Sequence, residues 1–374
     1  MARDNERDPF EVKARAAVLR NVGERLTIEE IDIDDPGPHE VLIKTAAAGV
    51  CHSDHHFMTG HYAAELPLVP GHESAGVVEA VGDGVVDFVP GDHVITCMSV
   101  SCGRCKLCAT GRGYLCQDPG VERADSDAPR LRAGDQPLGQ LYHLSSYAER
   151  LLVHERAVVK IRDDMPLDRA ALIGCAVMTG FGAVTNTARV EAGATVAVIG
   201  CGGIGLSAVL GAVAAEATTI IAVDVTDEKL ATACSFGATH AVNAATEDPV
   251  AAVHELTGGG VDYAFEALGR KETVEQAFAM LGVGGDAVVI GMVPEGQSVE
   301  IQAAELLNEK TLRGSNMGSN NFRVDMPALV DRYMEGTLPL DAMISKRVRL
   351  DDINEAFDDM LSGSVARSVI IFDE

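Results

Sequence analysis

The chain has 374 residues, a length that suggests two domains or three small ones, and its 47% hydrophobic against 23% charged residues exclude a chain that stays disordered. Its 30 basic and 56 acidic side chains leave a net charge of −26, which argues against nucleic acid as a partner because no field is available to release counterions from phosphate. Trp is absent and aromatics make up only 4%, so the core has to be built from Ala, Val, Leu and Ile.

The N-terminus, MARDNERDPFEVKARAAV, mixes Arg, Asp and Glu and lacks the apolar run of roughly 7–15 residues that a signal peptide needs. The most apolar region, around 194–223, is broken by glycines and by Glu216, so no membrane span is predicted there. The expectation is a cytoplasmic protein whose acidity serves solubility. In such a chain the 9 cysteines read as thiols and metal ligands rather than disulfides.

Over roughly the first 185 residues, short β-rich runs at 40–50, 74–82 and 92–98 are separated by turns at Pro36-Gly37-Pro38, Asp83-Gly84 and Pro90-Gly91. This predicts a mostly antiparallel β region with long loops, and the Asp-, Arg- and Gly-rich segment 118–140 reads as an exposed loop insertion. From about 194 the pattern becomes strand–helix alternation. Strands are expected at 195–200, 219–225, 239–244, 261–269 and 285–293, with helices at 206–217 and 228–237. That is the pattern of a parallel sheet with crossover helices. Beyond 317, helices are predicted at 325–336 and 351–363, and a last strand at 366–372 is placed to return to the first domain.

Three constellations carry chemistry. Cys102, Cys105, Cys108 and Cys116 fall within fifteen residues, a spacing that wraps one tetrahedral ion in an all-thiolate structural zinc site. A cluster of buried thiols and an iron–sulfur cluster are the alternatives. The run Cys51-His52-Ser53-Asp54-His55-His56 and the triplet Gly71-His72-Glu73 bring possible ligands next to carboxylates able to orient them. Cys175, in a glycine-flanked stretch 103 positions beyond His72, is a candidate third ligand. The loop Gly200-Cys201-Gly202-Gly203-Ile204-Gly205 follows a strand and opens a helix, and Asp224 ends the next strand. This context fits a dinucleotide fingerprint, with glycines approaching the pyrophosphate and Asp224 accepting from the ribose and repelling a 2′-phosphate.

Taken together, these constellations resemble the zinc-dependent medium-chain alcohol dehydrogenases. The likeness runs from about residue 14 to the last strand, through CHSDHH, GHESAG, the four-cysteine lobe, GCAVMTG, GCGGIG and VDV in that order. The resemblance implies an α/β protein with a GroES-like, mostly β catalytic domain and a doubly wound Rossmann domain. The corresponding division is a catalytic domain at 1–180 with its lobe at 97–118, an NAD-binding domain at 181–316, and a return at 317–374. Cys51, His72 and Cys175, with Glu73 beside them, would hold a catalytic zinc, and the four lobe cysteines a structural one. Ser53 and His56 match a proton relay, Thr179 and Ile204 the residues against the nicotinamide, and Asp224 and Lys229 those on the adenosine ribose. Gly200, Gly202, Gly203 and Gly205 form the phosphate loop, with Arg367 and His52 reaching the pyrophosphate. The implied reaction is reversible hydride transfer between an alcohol or aldehyde and NAD, in a homodimer or homotetramer that binds neither nucleic acid nor membrane.

Where glutathione-dependent formaldehyde dehydrogenases carry an acid and an Arg, this chain has Tyr62 and Gly120. That departure turns the expectation away from a charged thiol adduct. Met98, together with Ala46, Ala47 and Ala48, suggests a roomy apolar pocket for a primary or aromatic alcohol. A glutathione-dependent enzyme and a non-catalytic zinc and dinucleotide-binding protein are the rival readings.

Overall fold

A computed structural model describes residues 12–124, 126–363 and 365–372. Among these residues the chain builds two large sheets. The first has seven strands and is mostly antiparallel. It runs Val158–Lys160, His93–Thr96, Ser74–Val81, Glu40–Gly49, Ser368–Ile371 and Lys346–Val348, and Arg150–His154 also pairs with Glu40–Gly49. The central strand Glu40–Gly49 is buried along nearly its whole length, consistent with its near-continuous apolar sequence.

The predicted last strand does return to this sheet. Val369, Ile370 and Ile371 lie antiparallel to Gly49, Ala48 and Ala47. Ala47 and Ala48 are fully buried in that pairing, so their small size makes room for packed apolar neighbours and not for a ligand.

The second sheet is parallel, in the order His240–Asn243, Thr219–Asp224, Thr195–Ile199, Val261–Glu266, Leu281–Val289 and Thr311–Gly314. This is the doubly wound arrangement. Its strand order reverses between Thr195–Ile199 and Val261–Glu266, the point where open sheets of this kind leave a crevice at the carboxyl ends of their strands.

Two expectations need correction. The segment 118–140 is not a loose insertion. Leu131–Ala133 and Gln136–Pro137 extend the sheet formed by Val12–Val18 and Thr27–Ile33. Buried Glu40 binds the Arg123 guanidinium and also accepts from Arg130 Nε at 2.7 Å, fastening the segment to the first sheet.

The region around Cys175 is not a β loop either. Residues 167–188 form one continuous helical stretch, so the boundary expected between 180 and 181 cuts through an element that both halves share. Its length and hydropathy would suit a membrane span, yet 83% of its apolar window is buried inside the protein. Its winding loosens to the wider π-type turn at Ile173–Val177 and Ala183–Ala188. The glycines that read as turn punctuation are instead points of close packing. A Cβ on Gly180 would stand 2.1 Å from the Ile204 carbonyl oxygen, and one on Gly182 2.6 Å from that of Gly318.

Candidate functional site

Three separate elements carry the donor atoms to one point. Cys51 immediately precedes the short helix His52–Met58, His72 follows the strand Leu68–Val69, and Cys175 lies in the π-wound turn Ile173–Val177. All three are buried, and their donor atoms lie within 4.8 Å of one another, with His72 Nε2 3.2 Å from Cys175 Sγ. Gly71 adopts φ +94°, and a Cβ there would sit 2.7 Å from the Tyr147 amide nitrogen, so only glycine lets His72 approach this close.

Asp54 orients the imidazole: its Oδ1 lies 3.1 Å from His72 Nδ1 and accepts from the Gly71 amide at 2.9 Å. The Tyr147 hydroxyl donates to Asp54 Oδ2 at 2.7 Å. Burial alone would lower the pKa of His72, but Asp54 and then Cys51 outweigh it and hold the ring well above its ordinary value. The Cys175 thiol, hydrogen-bonded to Cys51, pushes Cys51 well below the usual thiol range against the effect of burial. A buried donor set this rich in negative charge fits a shared cation of the zinc type.

Glu73 is not among the three clustered donors. It is fully buried, and its Oε2 accepts from Arg367 at 2.6 Å, while Oε1 has no partner among the described residues. Arg367 also donates to the Val50 carbonyl at 2.9 Å. Burial opposes its charge, but Glu73, then Cys51, outweigh that and push its pKa up. Its Nε is buried without a partner among the described residues and lies 2.6 Å from where a Cβ of Gly203 would stand.

Gly203 opens the helix Gly203–Ala214, whose N-cap, Gly202, provides no side-chain cap. A Cβ on Gly202 would meet nothing within 4 Å, whereas one on Gly205 would stand 1.7 Å from the Gly200 carbonyl oxygen. One glycine therefore leaves the loop open outward and the other packs helix on strand. Free amides at a helix start, an unpaired guanidinium nitrogen and open space above them suit a pyrophosphate.

Exposed His52 lies close enough to Arg367 and Lys229 to feel both charges. Lys229 Nζ stands 3.2 Å from where a Gly363 Cβ would be, at the end of the helix Ile353–Ser362. Asp224 is more constrained than the sequence suggests. Oδ2 accepts from the Cys201 amide at 2.8 Å, and Oδ1 from the Val225 and Thr226 amides at 2.8 and 3.2 Å. Among the described residues this leaves Oδ2 with a single bond, free to accept another.

Thr179 follows Cys175 by one turn and gives its hydroxyl to Met317 Sδ at 3.3 Å. The tight contact at Gly180, next in sequence, brings this helical stretch against the Ile204 backbone. Ser53 and His56 share the helix His52–Met58 three positions apart, and Ser53 Oγ is 3.6 Å from Cys51 Sγ. His56 Nδ1 lies 3.3 Å from His61 Nδ1. Met98 is half-buried and packs against two apolar clusters. Sequence reading missed Tyr147, Tyr142, whose ring lies edge-on to His72 at 5.6 Å, and Met317. The one signal for Tyr147 was the need of a buried Asp54 for a donor.

The four lobe sulfurs also lie within 4.8 Å of one another, with Cys105 Sγ 3.4 Å from Cys108 Sγ. The Arg104 amide, then that of Cys105, lowers the Cys102 thiol to about 6. A surface cleft of about 600 Å³ lined by Glu191, Asp262 and Arg313 lies at the opposite, N-terminal edge of the parallel sheet and takes no part in this site.

Residues 37–163 match the alcohol dehydrogenase GroES-like domain family, and residues 203–334 the zinc-binding dehydrogenase family. Fold and donor sets thus define the class, a two-part zinc-binding dehydrogenase. The chain is 40% identical to the NDMA-dependent alcohol dehydrogenase of Amycolatopsis methanolica over 369 residues, covering 96% of this chain and 99% of that one. Among solved structures, an alcohol dehydrogenase zinc-binding domain protein from Burkholderia ambifaria superposes with a TM-score of 0.92 at 37% identity. Benzyl alcohol dehydrogenase from Acinetobacter calcoaceticus does so at 0.91 and 33%, and both comparisons cover 97% of this chain and 100% of the other. The chain belongs to the zinc-dependent medium-chain alcohol dehydrogenase family and is an oxidoreductase of the zinc alcohol dehydrogenase type.

Proposed function

We propose that this enzyme interconverts primary or aromatic alcohols and their aldehydes with NAD, using one zinc at Cys51, His72 and Cys175 and a second at the four lobe cysteines. The observation that carries this reading is Arg367. One side chain bonds Glu73 beside the donor cluster and covers Gly203 at the phosphate loop, so the two sites form one continuous surface. Zinc at the buried donors would supply a Lewis acid for the alcohol oxygen, and NAD the hydride acceptor.

The chain's own residues do the rest. Ser53 Oγ, beside Cys51, is placed to accept the alcohol proton as it gives up its own, and the half-buried His56 imidazole on the same helix is the group that would hold the proton on its way to solvent. Thr179 and Ile204 hold the nicotinamide against the substrate, Asp224 and Lys229 the ribose, and Arg367, His52 and the glycine loop the pyrophosphate. Tyr62 spends its hydroxyl on the Val293 carbonyl and offers no charge to a glutathione adduct.

The test is a metal count and an NADH absorbance assay with ethanol through octanol, benzyl alcohol and S-hydroxymethylglutathione. NDMA is added in parallel as an acceptor, because the Amycolatopsis relative is NDMA-dependent by name. Two zinc ions per chain are expected, together with a rise in kcat/KM of roughly fourfold per methylene until the pocket fills, since each buried methylene contributes about 0.8 kcal/mol. NAD is expected to be preferred over NADP, and Asp224→Ala should narrow that gap. Equal use of both cofactors by the unmutated enzyme, or a glutathione adduct turned over far faster than every alcohol, would overturn the reading.

A further inference from the structure

Tyr62, in the turn after the helix that carries Ser53 and His56, donates its hydroxyl to the backbone carbonyl of Val293 at 2.7 Å, across 231 positions of sequence. Both ends of this bond are firmly based. On one side the His61 and Tyr62 amides return to the His56 carbonyl at 2.9 and 3.3 Å. The Tyr62 ring stands edge-on to His56 and tilted against Phe57, each at 5.9 Å between centroids.

On the other side, Val293 lies just beyond the strand Leu281–Val289, at the carboxyl edge of the parallel sheet. Ile290 and Gly291 both donate to the Glu266 carbonyl, at 2.8 and 3.0 Å. Gly291 and Gly269 meet backbone to backbone: a Cβ on Gly291 would stand 2.0 Å from the Gly269 nitrogen, and one on Gly269 2.4 Å from the Met292 oxygen. Past this rigid root, residues 295–300 are exposed and without regular structure. The Tyr62–Val293 bond therefore spans the mouth between the relay helix and the sheet edge where the crevice opens.

We infer that Tyr62 is a positioning residue that fastens the Val293 loop to the relay helix and so sets how long the dinucleotide stays bound. The inference rests on the NAD reading above. On that reading the nicotinamide, against Thr179 and Ile204, would lie between the relay helix and the carboxyl edge of the sheet, so its release would part these two surfaces and break this bond. Its ring contact with His56 means that the same side chain also fixes the relay imidazole. The ring and the hydroxyl are separable, because phenylalanine keeps the former and removes only the latter.

The experiment compares the unmutated enzyme with Tyr62→Phe, measuring NADH release by stopped-flow fluorescence. The chain has no Trp, so the emission followed is that of the nucleotide. Loss of one hydrogen bond is expected to speed release by roughly two- to tenfold, with association and thermal unfolding nearly unchanged. Backbone amides of residues 290–302 should exchange with solvent faster in the variant, with or without NADH. Equal release rates together with equal amide exchange would overturn the inference. If the unmutated enzyme bound no NADH, the cofactor reading would fall, and amide exchange in the free proteins would still decide whether Tyr62 holds the loop.

Discussion

Two thiol clusters in one chain are built by opposite means. The lobe draws its four cysteines from a single short segment whose helical turns, Lys106–Ala109 and Gly113–Leu115, bury no residue at all. Its sulfurs are half-buried and are met by local amides, Cys105 N on Cys102 Sγ at 3.3 Å and Cys102 N on Cys116 Sγ at 3.4 Å. The second cluster takes Cys51, His72 and Cys175 from three elements that are already packed, and both cysteines belong to an apolar core with Ala47, Ile95 and Phe181. A segment with no apolar core of its own must be folded by its metal, whereas a site set within a core can lose its metal and keep its shape.

The widest separation between the two should come from exchanging one cysteine in each. Cys105→Ser should collapse the lobe, and with it soluble yield or thermal stability. Cys51→Ser should leave circular dichroism and NADH binding in place while alcohol oxidation falls by about a hundred- to a thousandfold, the scale on which removing electrostatic stabilisation of developing charge acts. Zinc content read on both variants should fall by one ion per chain in each case. A stable, fully active Cys105→Ser protein would break the contrast.

Next in size is the support beneath His72. Asp54→Asn keeps the shape and removes the charge that holds the ring, and orienting carboxylates of this kind are typically worth about 10- to 100-fold in metal affinity or activity. The loss should appear as easier stripping of one zinc by a chelator while the lobe zinc resists. Equal loss of both ions would show that the clusters are not independent.

What was legible in the sequence follows the same division. The lobe could be read because its ligands are local, and the glycine loop because its strand and helix are contiguous with it. The helix at 167–188 could not, because Gly174, Gly180 and Gly182 look like loop residues until the backbones of Thr96, Ile204 and Gly318 are seen against them. Glu73 and Arg367 were each assigned to a separate site. Only the fold, which returns Ser368–Ile371 to Gly49, brings them into one buried ion pair. Tyr147 lies 93 positions from Asp54, and nothing in its local sequence marks it as a partner.

His56 offers a pH test. Burial, then repulsion from His52, His61 and His55, lowers its pKa below the ordinary 6.5. The neutral, proton-accepting ring therefore persists below pH 6.5, and its contribution is lost only as pH falls through the lowered value. His56→Ala should slow alcohol oxidation by on the order of tenfold between that value and neutrality, less than the full 10²–10⁴ of general base catalysis because water takes over part of the task. The deficit should shrink at alkaline pH, where hydroxide substitutes, and imidazole buffer should restore part of the rate. Parallel pH profiles for both proteins would remove His56 from the proton path.

The smallest effect expected is at Tyr147, and it separates the support of the buried cluster most finely. The phenol is fully buried; burial and then Asp54 hold its pKa well above the usual value, so it remains a donor throughout the working range. It gives its proton to Asp54 Oδ2, and the Cys51 amide approaches its oxygen at 3.4 Å, so a single hydroxyl touches both ends of the donor set. Tyr147→Phe removes that oxygen and leaves the ring packed edge-on to Phe357, 6.1 Å away. Asp54 keeps the Gly71 amide and His72, so the carboxylate turns slightly and is not released. Loss of one such bond should lower kcat/KM roughly two- to tenfold and weaken chelator resistance at the buried site by a similar factor, with NADH binding and lobe zinc unchanged. A deficit as large as that of Asp54→Asn would mean that Tyr147 and Asp54 act as one unit, and a double variant no worse than either single one would confirm it.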